Sequence, residues 1–242
     1  LTVTLTVSPA ATIYYTTDGS DPMTNGKKYS TPITVKNSTG SAGYLTSSIA
    51  STFRYSAPSS QMVGTVIKAY AKNGSKTIDT VTNTYIVSSS FTSTYKLPSV
   101  SISLKSSDFA TSSGIYVSVM SDPFGKKERK VAFFELFDRG GSKVAGQYIE
   151  LSMNGNGSLG NQQQSMRVYF KKDANPAVTN NPGKLKYDIF EGRVFDFTGE
   201  NIDSYKRLIL RNSGNDCTYS MLRDALMQRL CKGMNVDYME TQ

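Results

Sequence analysis

Two short stretches hold the residues whose types and spacing could do chemistry. Gly155-Asn156-Gly157-Ser158-Leu159-Gly160 is a literal G-x-G-x-x-G, and Arg211-Asn212-Ser213-Gly214-Asn215-Asp216 joins an apolar run to the start of a helix. A dinucleotide-binding fold needs the glycine pattern to open a helix. Here Val168, Tyr169 and Phe170 follow, which reads as strand, glycine loop, strand. That is the arrangement in which kinase backbone amides cover nucleotide phosphates. A plain hairpin whose glycines take positive φ fits the same pattern. The second stretch has the polar groups to hold an anion against the free amides of a helix start. It also suits an elaborate turn with an N-cap, followed by a structural pairing of Arg223 and Asp224.

Histidine is absent. This excludes serine–histidine triads, cysteine–histidine dyads and H-E-x-x-H metalloenzymes within the chain. Chemistry must rest on carboxylates, amides, hydroxyls, lysine and arginine. Cys217 and Cys231 flank the expected helix, and at about 1.5 Å per residue they lie roughly 20 Å apart. A disulfide tolerates about 7 Å between Cα atoms, so none is expected between them. Asp18 and Asp21 sit in one tight turn, far short of the 6–8 oxygens that calcium takes.

The elements that must position these residues follow from periodicity. Val3, Leu5 and Val7 alternate with threonines, and Ile13–Thr17 leads into the turn cluster Asp18–Pro22. Strands follow at Ile33–Val35, Val66–Ala71 and Val81–Val87, the last two separated by Asn73-Gly74. Short β-branched strands at this spacing indicate a β-sandwich. Residues 37–64 are expected to form a long loop with an extra strand, and Ser88–Thr94 a polar linker. Beyond it, Val100–Leu104 alternates like a strand, Gly114–Val117 ends a loop, and Val131–Phe137 reads as a buried strand. Tyr148–Met153 and Met166–Phe170 flank the glycine loop as strands, and Tyr205–Arg211 is another. Ser220–Leu230 is a helix with Leu222, Ala225, Leu226 and Leu230 on one face, Asp216 or Thr218 as cap and Gly233 as stop.

The net charge is +8, with 8 basic and 3 acidic residues in 1–96 against 19 and 16 in 97–242. The denser excess at the front could favour an anionic wall or other polyanion, but a soluble surface with a mild positive bias is the expected reading. Nucleic acid is not an expected partner, because there is no arginine-rich helix and no RNP-like aromatic motif. No apolar run approaches the roughly 18 residues of a membrane span. Residue 1 already lies in a strand-like run, so no signal peptide is read here and the natural protein is expected to begin upstream, where there is room for a removed secretion signal.

Ile13–Pro22, then Tyr29 to Pro32-Ile33, Ile67–Ala71 and Thr84-Tyr85 are together similar to the chitobiase/β-hexosaminidase carboxy-terminal domain family, across nearly all of residues 1–87. The resemblance implies an immunoglobulin-like sandwich that accompanies larger extracellular proteins and has no catalysis of its own. Further on, the matches are Gly114–Val117, Phe133-Phe134-Glu135 and Gly155–Gly160 before Ser165-Met166-Arg167. With Leu208–Asp216 before Met221–Gln228, these resemble the CotH kinase family over about residues 97–242. That resemblance implies a bacterial-type protein, secreted or on the cell surface or spore coat. It would be an atypical protein kinase using ATP and Mg or Mn to phosphorylate proteins. Its nucleotide-binding candidates carry over to Gly155, Gly157, Gly160, Arg167, Arg211, Asn212, Asn215 and Asp216. Leu159 and Gln164 stand where the family has an arginine and a lysine, which weakens phosphate handling. The family's metal-binding carboxylates lie beyond the matched region, so no catalytic or metal-binding residue is assigned.

The expected fold class is mainly β: an immunoglobulin-like β-sandwich over 1–90 followed over 97–242 by an incomplete α+β kinase-like domain. The chain would then be the front portion of a CotH-like kinase acting on a protein substrate, inactive by itself and without its own cofactor. The alternative is a non-catalytic cell-surface or polysaccharide-associated scaffold with a degenerate kinase-like domain. Absence of tryptophan weakens a direct sugar platform, although 15 tyrosines could partly replace it.

Overall fold

Threonine, tyrosine and β-branched residues in alternation build the amino-terminal sheets. The structure, a computed structural model, describes residues 1–37, 63–94, 96–160, 163–213, 216, 219–220, 222–234, 236 and 238–241. The chain divides into two compact units, 1–106 with 133–143, and 107–132 with 144–242.

In the first unit, strands β1 (Thr2–Val3) and β4 (Ile33–Thr34) pair antiparallel. Strands β2 (Thr12–Thr16), β3 (Lys27–Lys28), β5 (Thr65–Asn73) and β6 (Lys76–Tyr85) form an antiparallel sheet in the order β3-β2-β5-β6. Val3, Ile33, Val35 and Ile67 make a buried cluster with Leu5, Tyr15, Tyr29, Tyr85 and Val87 packed against it, so the two sheets share one core. On the other face Tyr14 lies opposite Tyr70 in register, rings stacked at 5.3 Å. The β5–β6 hairpin turns at Gly74, whose φ of 59° is the left-handed conformation glycine tolerates.

Asp18 accepts hydrogen bonds from the Ser20 amide and hydroxyl, at 3.0 and 2.6 Å. Asp21 caps a short helix, α1 (Pro22–Asn25), through the Met23 amide at 2.9 Å, with Pro22 in the first turn. Both carboxylates are thus engaged in turn geometry.

The segment expected as a polar linker contains a helical turn, α2 (Phe91–Thr94). After it, β7 (Ser99–Ser103) pairs antiparallel with β8 (Lys130–Phe137), Ser101 opposite Glu135. Strand β6 lies at the edge of its sheet, and Glu135 binds that edge. Its Oε1 accepts the Thr84 amide at 3.1 Å and its Oε2 the Thr84 hydroxyl at 2.6 Å. Ser101 Oγ lies 2.8 Å from the same hydroxyl, and Lys143 Nζ is 3.4 Å from Glu135 and also bonded to Asn83. Glu135 has no solvent exposure at all. Among the described strands this edge would otherwise leave the Thr84 amide bare, and the buried carboxylate satisfies it.

In the second unit, helices α3 (Ser106–Phe109) and α4 (Ile115–Ser121) precede the strands. Gly114–Val117 was expected to end a loop, and the structure instead begins α4 there. Ile115, Tyr116 and Val119 are buried on one helical face, and the Tyr116 ring packs 5.3 Å from Phe109. Any side chain at Gly114 would meet the Phe109 carbonyl at 2.3 Å, so glycine is what allows the approach. Strands β9 (Lys143–Asn154), β10 (Ser165–Tyr169) and β13 (Arg207–Leu210) form an antiparallel ladder with β10 in the middle. Ile149, Leu151, Met153, Val168 and Phe170 are buried. The expected strand Tyr205–Arg211 is divided: β12 (Ser204–Tyr205) pairs with β11 (Leu185–Lys186), and only β13 joins β10.

The last helix, α5, runs Arg223–Leu230 and starts later than Ser220. Ser220 bonds Asp216 through amide and hydroxyl and offers its own oxygen to the Leu222 amide, local bonds that compete with helix. Among the described residues of α5 none is buried, and Leu222, Leu226 and Leu230 are exposed rather than facing a core. The extra strand expected within 37–64 falls almost wholly outside the described residues, as do Cys217 and Thr218. Cys231 is a free thiol.

Candidate functional site

The glycine loop leaves β9 at Gly155, passes through a 3-10 turn at Gly157–Gly160 and enters β10. Only Gly155 is demanded by the backbone: its φ is +128°, and a Cβ there would come within 2.6 Å of Ser158 Oγ. A Cβ at Gly157 or Gly160 would meet nothing within 4 Å. Leu159 plugs the turn into the core with no exposure, and its carbonyl accepts Gln164 Nε2 at 2.7 Å. The Gln164 amide therefore closes the loop on itself, leaving its Oε1 buried without a partner among the described residues.

The loop end and the segment after β13 are brought together. Ser165 Oγ donates to Asn212 Oδ1 at 2.8 Å and accepts the Asn212 amide at 3.0 Å, while Asn212 Nδ2 donates to the Gln163 carbonyl. Asn212 is 1% exposed, so these bonds are a buried weld between β10 and the chain leaving β13.

Arg167, at the middle of β10, donates to Asn154 Oδ1 at 2.5 Å. Arg211 pairs through Nε with Asp224 Oδ2 at 2.5 Å, tying the end of β13 to α5. Asp216 gathers the Ser220 hydroxyl at 2.6 Å, the Ser220 and Arg223 amides at 3.3 and 3.0 Å, and the Arg223 guanidinium at 3.3 Å. The Ser220 hydroxyl bond, against the opposing effect of burial, holds the Asp216 carboxyl below the ordinary carboxylate range. A carboxylate so depressed stays ionised near neutral pH and makes a poor proton carrier. Its chemistry is that of an acceptor anchoring the start of α5. Asn215 lies outside the described residues.

The candidates thus form two polar knots, Gln163–Ser165–Asn212 and Asp216–Ser220–Arg223, with Arg211 and Arg167 bound elsewhere. The glycine turn has open space beside Gly157 and Gly160, as a phosphate would need. Arg167, Arg211 and Arg223 each hold one acceptor elsewhere, and among the described residues no group of three carboxylate or cysteine side chains gathers to hold a metal. Glu135 entered the sequence reading only within the Phe133-Phe134-Glu135 match and without a partner, although an acid inside an apolar strand is itself a signal of one.

No curated protein and no solved structure matches the chain. The family model that matches leaves the glycine-loop unit outside its span. Residues 3–86 match the family described as Fn3 associated, and their packed antiparallel sheets make them a β-sandwich-like amino-terminal domain.

Proposed function

We propose that this chain works as an extracellular or surface-associated binding and scaffold protein. In this reading a sandwich of the chitobiase-tail type precedes a CotH-like, kinase-related domain that does not transfer phosphate in these 242 residues. The observation that carries the reading is the internal pairing of the polar residues that follow β13. Arg211 is held by Asp224, Arg223 by Asp216 and Asn212 by Ser165. Such a network stabilises loops and leaves little to be gained by admitting an anion. Its partner is a surface protein or polysaccharide. Co-sedimentation with insoluble polysaccharide and with surface-protein preparations tests the binding half. Failure to bind either class removes that half of the reading.

A second reading, an ATP-dependent atypical protein kinase using Mg or Mn, is favoured by one feature. The glycines sit between two antiparallel strands, with open space above Gly157 and Gly160. Melting curves with and without ATP and metal separate the two. The scaffold reading expects no change on adding nucleotide, and a rise in melting temperature that needs both metal and Asn212 would transfer the proposal to the kinase.

A further inference from the structure

Three side chains of the first unit, an amine, a carboxamide and a buried carboxyl, are held in contact by three different strands. Asn83, on edge strand β6, lies opposite the buried Ile67 in register and so on the core side of its strand. The Lys143 ammonium, at the start of β9, donates to the Asn83 side-chain carbonyl and lies 3.4 Å from Glu135 Oε1 on β8. Glu135 is itself fixed by the amide and hydroxyl of Thr84, the residue after Asn83. A tight turn delivers the lysine. Asp138 Oδ1 accepts the Ser142 amide at 2.9 Å, backbone bonds join Asp138 to Gly141 and Ser142, and Gly141 takes a φ of 83°.

This set can do more than form an ion pair. A nitrogen bonded to the carbonyl oxygen has the carbonyl carbon only one bond further on, about 1.2 Å. That places amine and carbon close to the roughly 3–3.5 Å from which such bonds form. A carboxyl that touches the amine and is shut off from water is placed to move its protons.

We propose that Lys143 and Asn83 become joined by an isopeptide bond, with Glu135 as the catalytic residue. Starting from the ion pair, Lys143 passes one proton to Glu135 and attacks Asn83 Cγ as a neutral amine. The Nζ–Cγ bond forms, a second Nζ proton passes through the Glu135 carboxyl to Nδ2, and the Cγ–Nδ2 bond breaks. The new amide keeps one proton on Nζ. Ammonia departs and takes the proton left on Glu135 with it as ammonium. Lys143 is 37% exposed, so the leaving group has a way into water. The bond closes a loop across the 60 positions between its residues and ties the edge strand β6 to β9. A cross-link of this kind stabilises chiefly by restricting the unfolded chain, in addition to the hydrogen bonds of Glu135. The inference goes beyond the scaffold reading and does not depend on any partner.

The intact mass of the full chain tests the proposal. It should fall one ammonia short of the mass of the sequence, and proteolysis should release a branched peptide joining the Asn83 and Lys143 segments. Lys143→Arg and Asn83→Ala spare the Glu135–Thr84 contact, and each should restore the full mass, abolish the branched peptide and lower the melting temperature. Glu135→Gln should slow bond formation at least about a hundredfold, the usual worth of a general acid–base group. A folded chain of unaltered mass overturns the proposal and leaves the three residues as a hydrogen-bonded network. So does a loss of ammonia that survives Lys143→Arg, which would belong to succinimide formation at an Asn-Gly pair such as Asn73-Gly74. A bond that forms equally fast in Glu135→Gln overturns the role of Glu135.

Discussion

Replacing Glu135 by alanine should be among the most damaging single changes in the first unit. The carboxylate is fully buried and makes two bonds to Thr84, with Lys143 3.4 Å away. Removing it orphans the Thr84 amide at the edge of β6, at about 1–3 kcal/mol for one unsatisfied buried donor. The Thr84 hydroxyl keeps Ser101 at 2.8 Å, so only its stronger, charge-assisted bond is lost, worth about 1.5–3 kcal/mol. Lys143 is 37% exposed and can return to water. Releasing a carboxylate from burial gives some of this back, and the net cost falls at about 2–4 kcal/mol, the two lost bonds less that gain. Glu135→Gln keeps the shape and one acceptor and should cost less than half as much. Urea unfolding followed by tyrosine fluorescence measures both. If Glu135→Ala lies within about 1 kcal/mol of wild type, the edge of β6 is not held by this carboxylate, and the argument fails.

Three further outcomes are expected. Gly155→Ala should lower the melting temperature, because it strains a φ of +128° and crowds Ser158, while Gly157→Ala and Gly160→Ala leave it unchanged. Arg211→Ala should cost about 1 kcal/mol, the worth of a half-exposed pair with Asp224, and equal destabilisation by Asp224→Ala with no additivity in the double variant identifies the pair. The Asp216 carboxyl is depressed by Ser220, so its contribution is complete above the unfolded carboxylate value of about 4 and is lost as pH falls through the lower folded value. Ser220→Ala should move the Asp216 titration upward in a carboxyl-resolved NMR experiment, and an unmoved titration contradicts the assigned cause.

Local chemistry was legible where it decides structure. Alternation and the Asn73-Gly74 turn define the β5–β6 hairpin, and Asp21-Pro22 carries cap and first turn of α1. The glycine loop between β9 and β10 was equally plain. What escaped depends on distant partners. Ile115–Ser121 is rich in β-branched residues and reads against helix, yet burying Ile115, Tyr116 and Val119 together overrides that propensity. The Thr84–Glu135 contact spans 51 positions, and no periodicity in either strand names the other. At the candidate site the residue types were visible, but their pairing was not. Only the folded arrangement shows Arg211 facing Asp224 and Asp216 closing on Ser220 and Arg223.

Isothermal titration of the full chain with ATP in the presence of Mn²⁺, then Mg²⁺, tests the central reading most directly. Polar residues already paired with one another predict no binding heat up to about millimolar nucleotide, the weak limit of useful affinity. Metal-dependent binding tighter than that, abolished by Gly157→Val or Asn212→Ala in a variant that still folds, would contradict it.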